Sequence, residues 1–151
     1  MACLAQLVNV IAPIMTETGG KVWAQTIFYP FLYTSVNGRG KALDTGCVCE
    51  SYSAKDLKEI PYVETIAVLS GDEKQVAVFA VNRSLEEACE LQFHLTGLEG
   101  YKPVKHIALE GDDLKASNTA QEPDKVTPVE KQLGEKVVLA PKSWNMILME
   151  G

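Results

Sequence analysis

Several chemistries have no carrier in this sequence of 151 residues. It contains no Gly-x-Ser-x-Gly elbow, no His-Glu-x-x-His pair, no P-loop and no dinucleotide fingerprint. Histidine occurs twice, at His94 and His106, and aromatic residues make up only 7% of the chain. Positive charge is in short supply: 14 Lys and Arg stand against 20 Asp and Glu, for a net charge of −6. Such a chain repels phosphates instead of neutralising them, so nucleic acid is not an expected partner. No apolar run approaches the roughly twenty residues a membrane-spanning helix needs, so no membrane association is expected either. A basic stretch and a small-residue cleavage site are both missing after Met1. No signal peptide is therefore read, and the expected setting is cytoplasmic.

Cysteine is sparse as well. Cys3, Cys47, Cys49 and Cys89 follow no disulfide framework and no zinc spacing. Cys47 and Cys49 would share one face of a strand, but no second cysteine pair stands at ligand distance. The expectation is reduced, partly buried thiols, with no metal site and no cofactor.

What is present is the composition of a soluble globular domain, 46% apolar and 23% charged. A chain of this length forms one domain, or a modest domain with an appendage, and can bury a real core. The first forty residues are the most apolar part. Leu4, Leu7 and Val8, with Ala2 and Ala5, fit the end of an amphipathic helix that has no N-cap. Val10 to Met15 is a short continuous apolar run of the kind buried on both faces in a parallel sheet, although Pro13 fits poorly there. Thr16 to Gly20 is loop chemistry. Thr26 can cap a helix over Phe28 to Val36, with Pro30 in its first turn and Phe28, Phe31, Leu32 and Val36 forming one stripe. Asn37-Gly38-Arg39-Gly40 ends it.

Beyond Gly40 the apolar period falls from 3.6 to 2. Strands are expected over Gly46–Ser53, Tyr62–Leu69, Gln75–Asn82, Cys89–Leu95, Tyr101–Glu110, Lys136–Ala140 and Ser143–Met149. Gln75–Asn82 is apolar on both faces, as a central sandwich strand would be. Gly111 to Thr127 is long and polar, and is expected to pack across an edge or against a neighbouring domain. The fold class read here is therefore mainly β: a jelly-roll-like antiparallel β-sandwich over 41–151, preceded over 1–40 by a helix–strand–helix remnant of a (β/α)8 barrel.

Catalytic candidates are few. Asp112, Asp113 and Glu17 are carboxylates near loop signals. Adjacent carboxylates at a strand end usually face opposite ways and stay solvated. His94 falls on the polar face of its strand. If Val10–Met15 is a barrel strand, Thr16–Gln25 is a βα loop of the kind that lines a barrel's active face. Trp23 would then supply an apolar wall, and Gln25 a neutral group able both to donate and to accept, suited to sugar hydroxyls. The pattern is met equally well by a Trp23 packed in the core and a Gln25 that only caps the helix.

The segments LAQLVNVIAPIMTETGG and WAQTIFYPFLYTSVNGRG carry a family resemblance. With IPYVETIAVL, VAVFAVNRSLEE, HIALEGDDLKASNT, PDKVTPVE and LAPKSWNMILME, in that order, nearly the whole chain resembles the C-terminal portion of the α-L-arabinofuranosidases of glycoside hydrolase family 51. The resemblance implies a catalytic (β/α)8 barrel followed by a jelly-roll sandwich, and retaining release of terminal arabinofuranosyl units from arabinan or arabinoxylan without a cofactor. It places the acid/base and nucleophilic glutamates on barrel strands upstream of Met1, so this chain holds no catalytic residue. It transfers one sugar contact, Gln25 of Trp23-Ala24-Gln25-Thr26, and with it Trp23. The expected partners are the missing N-terminal catalytic segment, an L-arabinofuranosyl oligosaccharide bound by the completed barrel, and further copies of the chain in a homo-oligomer. The reading from another class is a stand-alone carbohydrate-binding sandwich using Tyr52, Tyr62, Tyr101 or Trp144.

Overall fold

The computed structural model describes residues 3–151. The chain is mainly β and antiparallel, organised around one six-stranded sheet. Its elements in order are β1 (Ile14–Thr16), β2 (Val22–Ala24), α1 (Phe28–Asn37), β3 (Gly40–Leu43), β4 (Ser51–Ala54), β5 (Leu57–Pro61), β6 (Val63–Ser70), β7 (Gln75–Asn82), β8 (Cys89–Leu91), β9 (Lys102–Leu109), β10 (Val129–Lys131), β11 (Val137–Leu139) and β12 (Ser143–Glu150). The large sheet runs β10-β9-β12-β7-β6-β3; β8 pairs with β11, β4 with β5, and β1 with β2.

β7 and β12 form the centre, paired without a break from Asn82–Ser143 to Gln75–Glu150. Both faces of β7 are apolar, and the structure uses both. Val76, Val78 and Ala80 join Val63, Ala67, Leu69, Ile147 and Met149 in one core, closed by Val137 and Leu139 of β11. Ala77 and Phe79 join Ile107, Met146 and Leu148 in a second core on the opposite face, against which Tyr33 and Trp144 pack. The β6–β7 turn follows from side-chain chemistry: Asp72 Oδ1 accepts from Ser70 Oγ at 2.7 Å, and Ser70 Oγ accepts the Gln75 N–H at 3.0 Å.

Buried polar groups in this sheet are paired. Asn82 Nδ2 donates to the carbonyls of Glu87 and Leu139, and its Oδ1 accepts the Ser84 N–H at 3.0 Å. It thereby ties the central strand to the smaller second layer. Asn145 Oδ1 lies 2.9 Å from His106 Nε2, and Asn145 Nδ2 donates to Ser143 Oγ at 2.8 Å. Without these partners each amide would carry a desolvation cost of about 1–3 kcal/mol.

Four short strands escaped the sequence reading: β2, inside the expected βα loop, β5, and the two edge strands β3 and β10. β3 pairs with β6 along the sheet edge, and β10 lies against β9 at the other edge. β3 opens on Gly40 with φ +148°, where a Cβ would stand 1.9 Å from the Leu69 carbonyl oxygen. Only glycine can begin this strand so close to its neighbour. Two expected strands are shorter than their alternation suggests. Gly46–Ser53 is irregular until Ser51, and Cys89–Leu95 pairs only as far as Leu91. Alternation marks faces but needs a ladder partner to become a strand, and β11 offers only three residues to β8.

The N-terminal segment departs most from expectation. Residues 3–8 are not helical; Met1 and Ala2, part of the same expected helix, lie outside the described residues. Six residues are too few to offset the cost of helix nucleation by themselves. Gln6, Asn9 and Val10 instead take positive φ near 60°. The run Val10–Met15 does not form a strand of a parallel sheet. Only Ile14–Thr16 is extended, paired antiparallel with Val22–Ala24 in a hairpin, with a single parallel bridge from Val8 to Ile14. With no parallel strand beside it among the described residues, the strand pairs with the nearest segment in sequence.

The helix α1 forms as expected, with Pro30 in its first turn, but Ile27 and not Thr26 is its N-cap and no side chain caps it. Its C-terminal carbonyls are met by the Gly38 N–H, Asn37 Nδ2 and Arg39 Nε. The face of α1 that meets the sheet carries Tyr33, whose ring stacks 6.2 Å from Trp144. The stripe at Phe31, Leu32 and Val36 is exposed.

Candidate functional site

The loop from β2 into α1 holds both residues that the sequence singled out. Trp23 is the middle residue of β2 and Gln25 immediately follows it; both are half-buried. The Gln25 N–H donates to the Pro13 carbonyl at 2.8 Å, and its own carbonyl accepts from the Phe28 N–H at 2.9 Å. Gln25 therefore closes the helix entry with its backbone. Its side chain does not cap the helix. It reaches instead to the segment between β9 and β10, which lies over the hairpin.

There the two side chains converge. Trp23 Nε1 donates to the Asn118 carbonyl at 3.1 Å, and Gln25 Nε2 donates to the same oxygen at 3.0 Å. A carbonyl only accepts, so the Gln25 amide must face it with nitrogen. Oε1 and one amide hydrogen of Gln25 are left for other partners. Lys21 Nζ donates to the Ala120 carbonyl at 3.1 Å, one residue pair further along. The segment also approaches α1. Burial pushes the Tyr29 hydroxyl above its ordinary pKa, with the nearby Asp124 carboxylate adding to the effect. The polar stretch from Gly111 to Thr127 thus packs on the hairpin and the start of the helix.

The other candidates lie apart. Glu17, Asp112, Asp113 and His94 are all exposed. Asp113 Oδ1 accepts the Lys115 N–H at 2.8 Å, a local turn. His106 is buried against Asn145 in the sandwich interior. The carboxylates whose proton affinity is displaced are Asp72, Glu73, Glu90 and Glu99. They are displaced downward by hydrogen bonds from Ser70, Lys41, Lys136 and the Gly97 N–H respectively. That is the wrong direction for a general acid near neutral pH.

Three thiols meet where the sequence paired only two. Cys47, Cys49 and Cys89 all line a cavity of about 730 Å³ between the two layers, and His94 is among its other lining residues. Cys49 Sγ sits 3.4 Å from both the N–H and the carbonyl of Val63. Burial pushes the Cys47 and Cys89 thiols up, and Cys49 adds to both shifts. All are free cysteines, and the described residues contain no cluster arranged to hold a metal ion.

The aromatic residues weighed for a sugar platform are engaged elsewhere. Tyr52 and Tyr62 pack on each other at 4.9 Å, Tyr101 donates its hydroxyl to the Glu73 carbonyl, and Trp144 lies between Tyr33 and Phe79.

Residues 1–143 match the family model described as the α-L-arabinofuranosidase C-terminal domain. An intracellular exo-α-(1→5)-L-arabinofuranosidase of Halalkalibacterium halodurans is 43% identical over 97% of this chain, which corresponds to 30% of that protein. An exo-α-(1→6)-L-arabinofuranosidase of Bifidobacterium longum is 37% identical over 97% of the chain and 30% of its own length. Among solved structures, a family 51 α-L-arabinofuranosidase from Bifidobacterium longum superposes with a TM-score of 0.89 at 31% identity, covering 97% of this chain and 29% of that one. The chain thus spans about 30% of the length of the curated relatives it matches.

Proposed function

The chain belongs to the α-L-arabinofuranosidase C-terminal domain family, and we propose that it serves as the C-terminal part of a retaining exo-acting α-L-arabinofuranosidase. In this reading residues 1–40 complete a catalytic barrel and residues 41–151 are the supporting sandwich. Retaining glycoside hydrolysis needs two carboxyl groups roughly 5–5.5 Å apart across the scissile bond. The reading places both glutamates in the upstream segment, so the chain alone does not hydrolyse. Trp23 and Gln25 are its contribution to the arabinosyl subsite.

The observation that carries the proposal is the exposed apolar surface around that loop. Val10 is 78% and Ile11 64% exposed, with Leu7, Val22, Phe31, Leu32 and Val36 also open to solvent. Large apolar side chains left open to solvent in this number point to a face that is covered in the working assembly. It adjoins the Trp23–Gln25 loop, as the last unit of a barrel would. The cytoplasmic setting belongs to the same proposal, supported by the relative named intracellular; no helix among the described residues is long and apolar enough to cross a membrane. Relatives named for (1→5) and (1→6) linkages match this part comparably. Linkage preference is accordingly assigned to the upstream segment.

The test is a chimera in which this chain replaces the corresponding part of the Halalkalibacterium relative. The chimera is expected to cleave an aryl α-L-arabinofuranoside, and Gln25→Ala in it to lower kcat/KM at least about tenfold, as expected when a sugar hydrogen bond is lost. A folded but inactive chimera would overturn the reading. So would robust hydrolysis by the 151-residue chain alone.

A further inference from the structure

We propose that Asn118 is the positioning residue of the Trp23–Gln25 loop: its side chain fixes its own backbone carbonyl beneath the two side chains, and that carbonyl orients both. The functional meaning of the latch rests on the reading of Trp23 and Gln25 as sugar contacts; the latch itself does not.

Asn118 is 1% exposed, although it lies in a long polar segment. A buried amide of this kind must be paired. Its Nδ2 donates across to the Ala24 carbonyl at 2.9 Å and back to the Val126 carbonyl at 3.0 Å, while its Oδ1 accepts the Val126 N–H at 2.8 Å. Three of the four hydrogen bonds open to an asparagine side chain are therefore made. Two of them pin the segment to itself across eight residues, and the third crosses to the backbone between Trp23 and Gln25. The Asn118 carbonyl is then held where the indole and the amide both reach it, at 3.1 and 3.0 Å. One residue joins backbone to backbone and, through its carbonyl, side chain to side chain.

The consequence concerns which atoms a ligand meets. With Nε2 turned to Asn118, Gln25 presents Oε1 as a fixed acceptor for a hydroxyl. With its N–H spent, Trp23 presents only ring surface. Released from Asn118, the Gln25 amide rotates freely and must be ordered again at each binding event, at a cost in side-chain entropy. The latch also explains why a segment of this length is ordered, since its polar backbone is satisfied by the hairpin it covers.

The experiment uses the full 151-residue chain and nuclear magnetic resonance. The Trp23 indole N–H is read with the Trp144 indole as internal reference, and the β7 and β12 amides report the fold. In the native chain the Trp23 indole should exchange slowly with solvent. In Asn118→Ala it should exchange about tenfold faster or more, as expected on loss of an organising hydrogen bond, while the Trp144 indole and the β7 and β12 amides do not move. In Asn118→Asp the Trp23 indole shift should depend on pH, because only the protonated carboxyl can donate to Ala24 or Val126. A structural role elsewhere would not give that dependence. Fast exchange of the Trp23 indole in the native chain would overturn the proposal. So would a signal unchanged by Asn118→Ala in a folded chain, or a pH-independent signal in Asn118→Asp. Since no sugar is present, this outcome is separate from that of the chimera.

Discussion

Ile147 and Ile11 have the same side chain and opposite fates. Ile147, on β12, is wholly buried between β7 and β9, whereas Ile11, ahead of β1, stands 64% exposed. The same contrast separates Val76 from Val10. Intrinsic preference does not distinguish these residues. Partners do: the central strands find theirs within the chain, while the N-terminal segment has only a three-residue hairpin and the polar segment above it. Apolar content therefore locates a surface that must be covered, and only topology tells whether the chain covers it itself.

The comparison can be broken most directly at its buried end. Ile147→Ala should destabilise the chain by about 2–5 kcal/mol in urea unfolding, through lost transfer energy and the cavity left behind. Ile11→Ala should change the same midpoint by less than about 0.5 kcal/mol. Equal effects would mean that the N-terminal segment is part of the cooperative core. Next in size is the polar tie between layers. Asn82→Ala removes the side-chain partner of the Leu139 and Glu87 carbonyls and of the Ser84 N–H, and should cost about 1–3 kcal/mol. A smaller loss would show that water replaces the amide.

The exposed end is sharpened by association. At high concentration the chain should self-associate by light scattering through its uncovered apolar surface. Val10→Asp with Ile11→Asp should shift it toward monomer without moving the urea midpoint. The smallest effect is that of pH. Asp72, Glu73, Glu90 and Glu99 have folded pKa values held below the ordinary range by their hydrogen-bond donors. Their contribution is present above the ordinary carboxylate pKa and lost as pH falls through the depressed folded values. For the Cys47 and Cys89 thiols, raised by burial above their ordinary 9.0, the sign reverses. Stability should decline as pH rises past that value, because the unfolded thiols ionise first. All four carboxylates are solvent-screened, so thermal midpoints should shift only slightly below pH 4, and a large acid transition would point to a different group.

The six-stranded sheet was legible where strands alternate over eight residues and carry their own turn chemistry. Gln75–Asn82 coincides with β7, and β6, β9 and β12 differ from expectation by one residue or so at their ends. β3 and β10 were not legible, because short edge strands are defined by what they lie beside and not by their composition. The expected N-terminal helix and parallel strand do not form among the described residues, because periodicity reports which face would be buried, not whether a partner is at hand. For the candidate site, Trp23 and Gln25 came from the sequence. Asn118 did not, since an asparagine in a polar stretch looks like any other loop residue. Its burial arises only when the segment folds across the hairpin, some ninety positions away in the chain.

The place of β12 has a consequence for the order of assembly. It lies between β7 and β9, yet it is the last of the sheet's strands to be synthesised. Until Ser143–Glu150 has left the ribosome, β7 and β9 both present open edges and neither core has its Met146, Ile147 or Met149. Nascent chain therefore passes through a window in which its most apolar strands are made but unzipped, and so open to chaperones or to each other. The zipping step joins strands distant in sequence, which makes it slow as well as late.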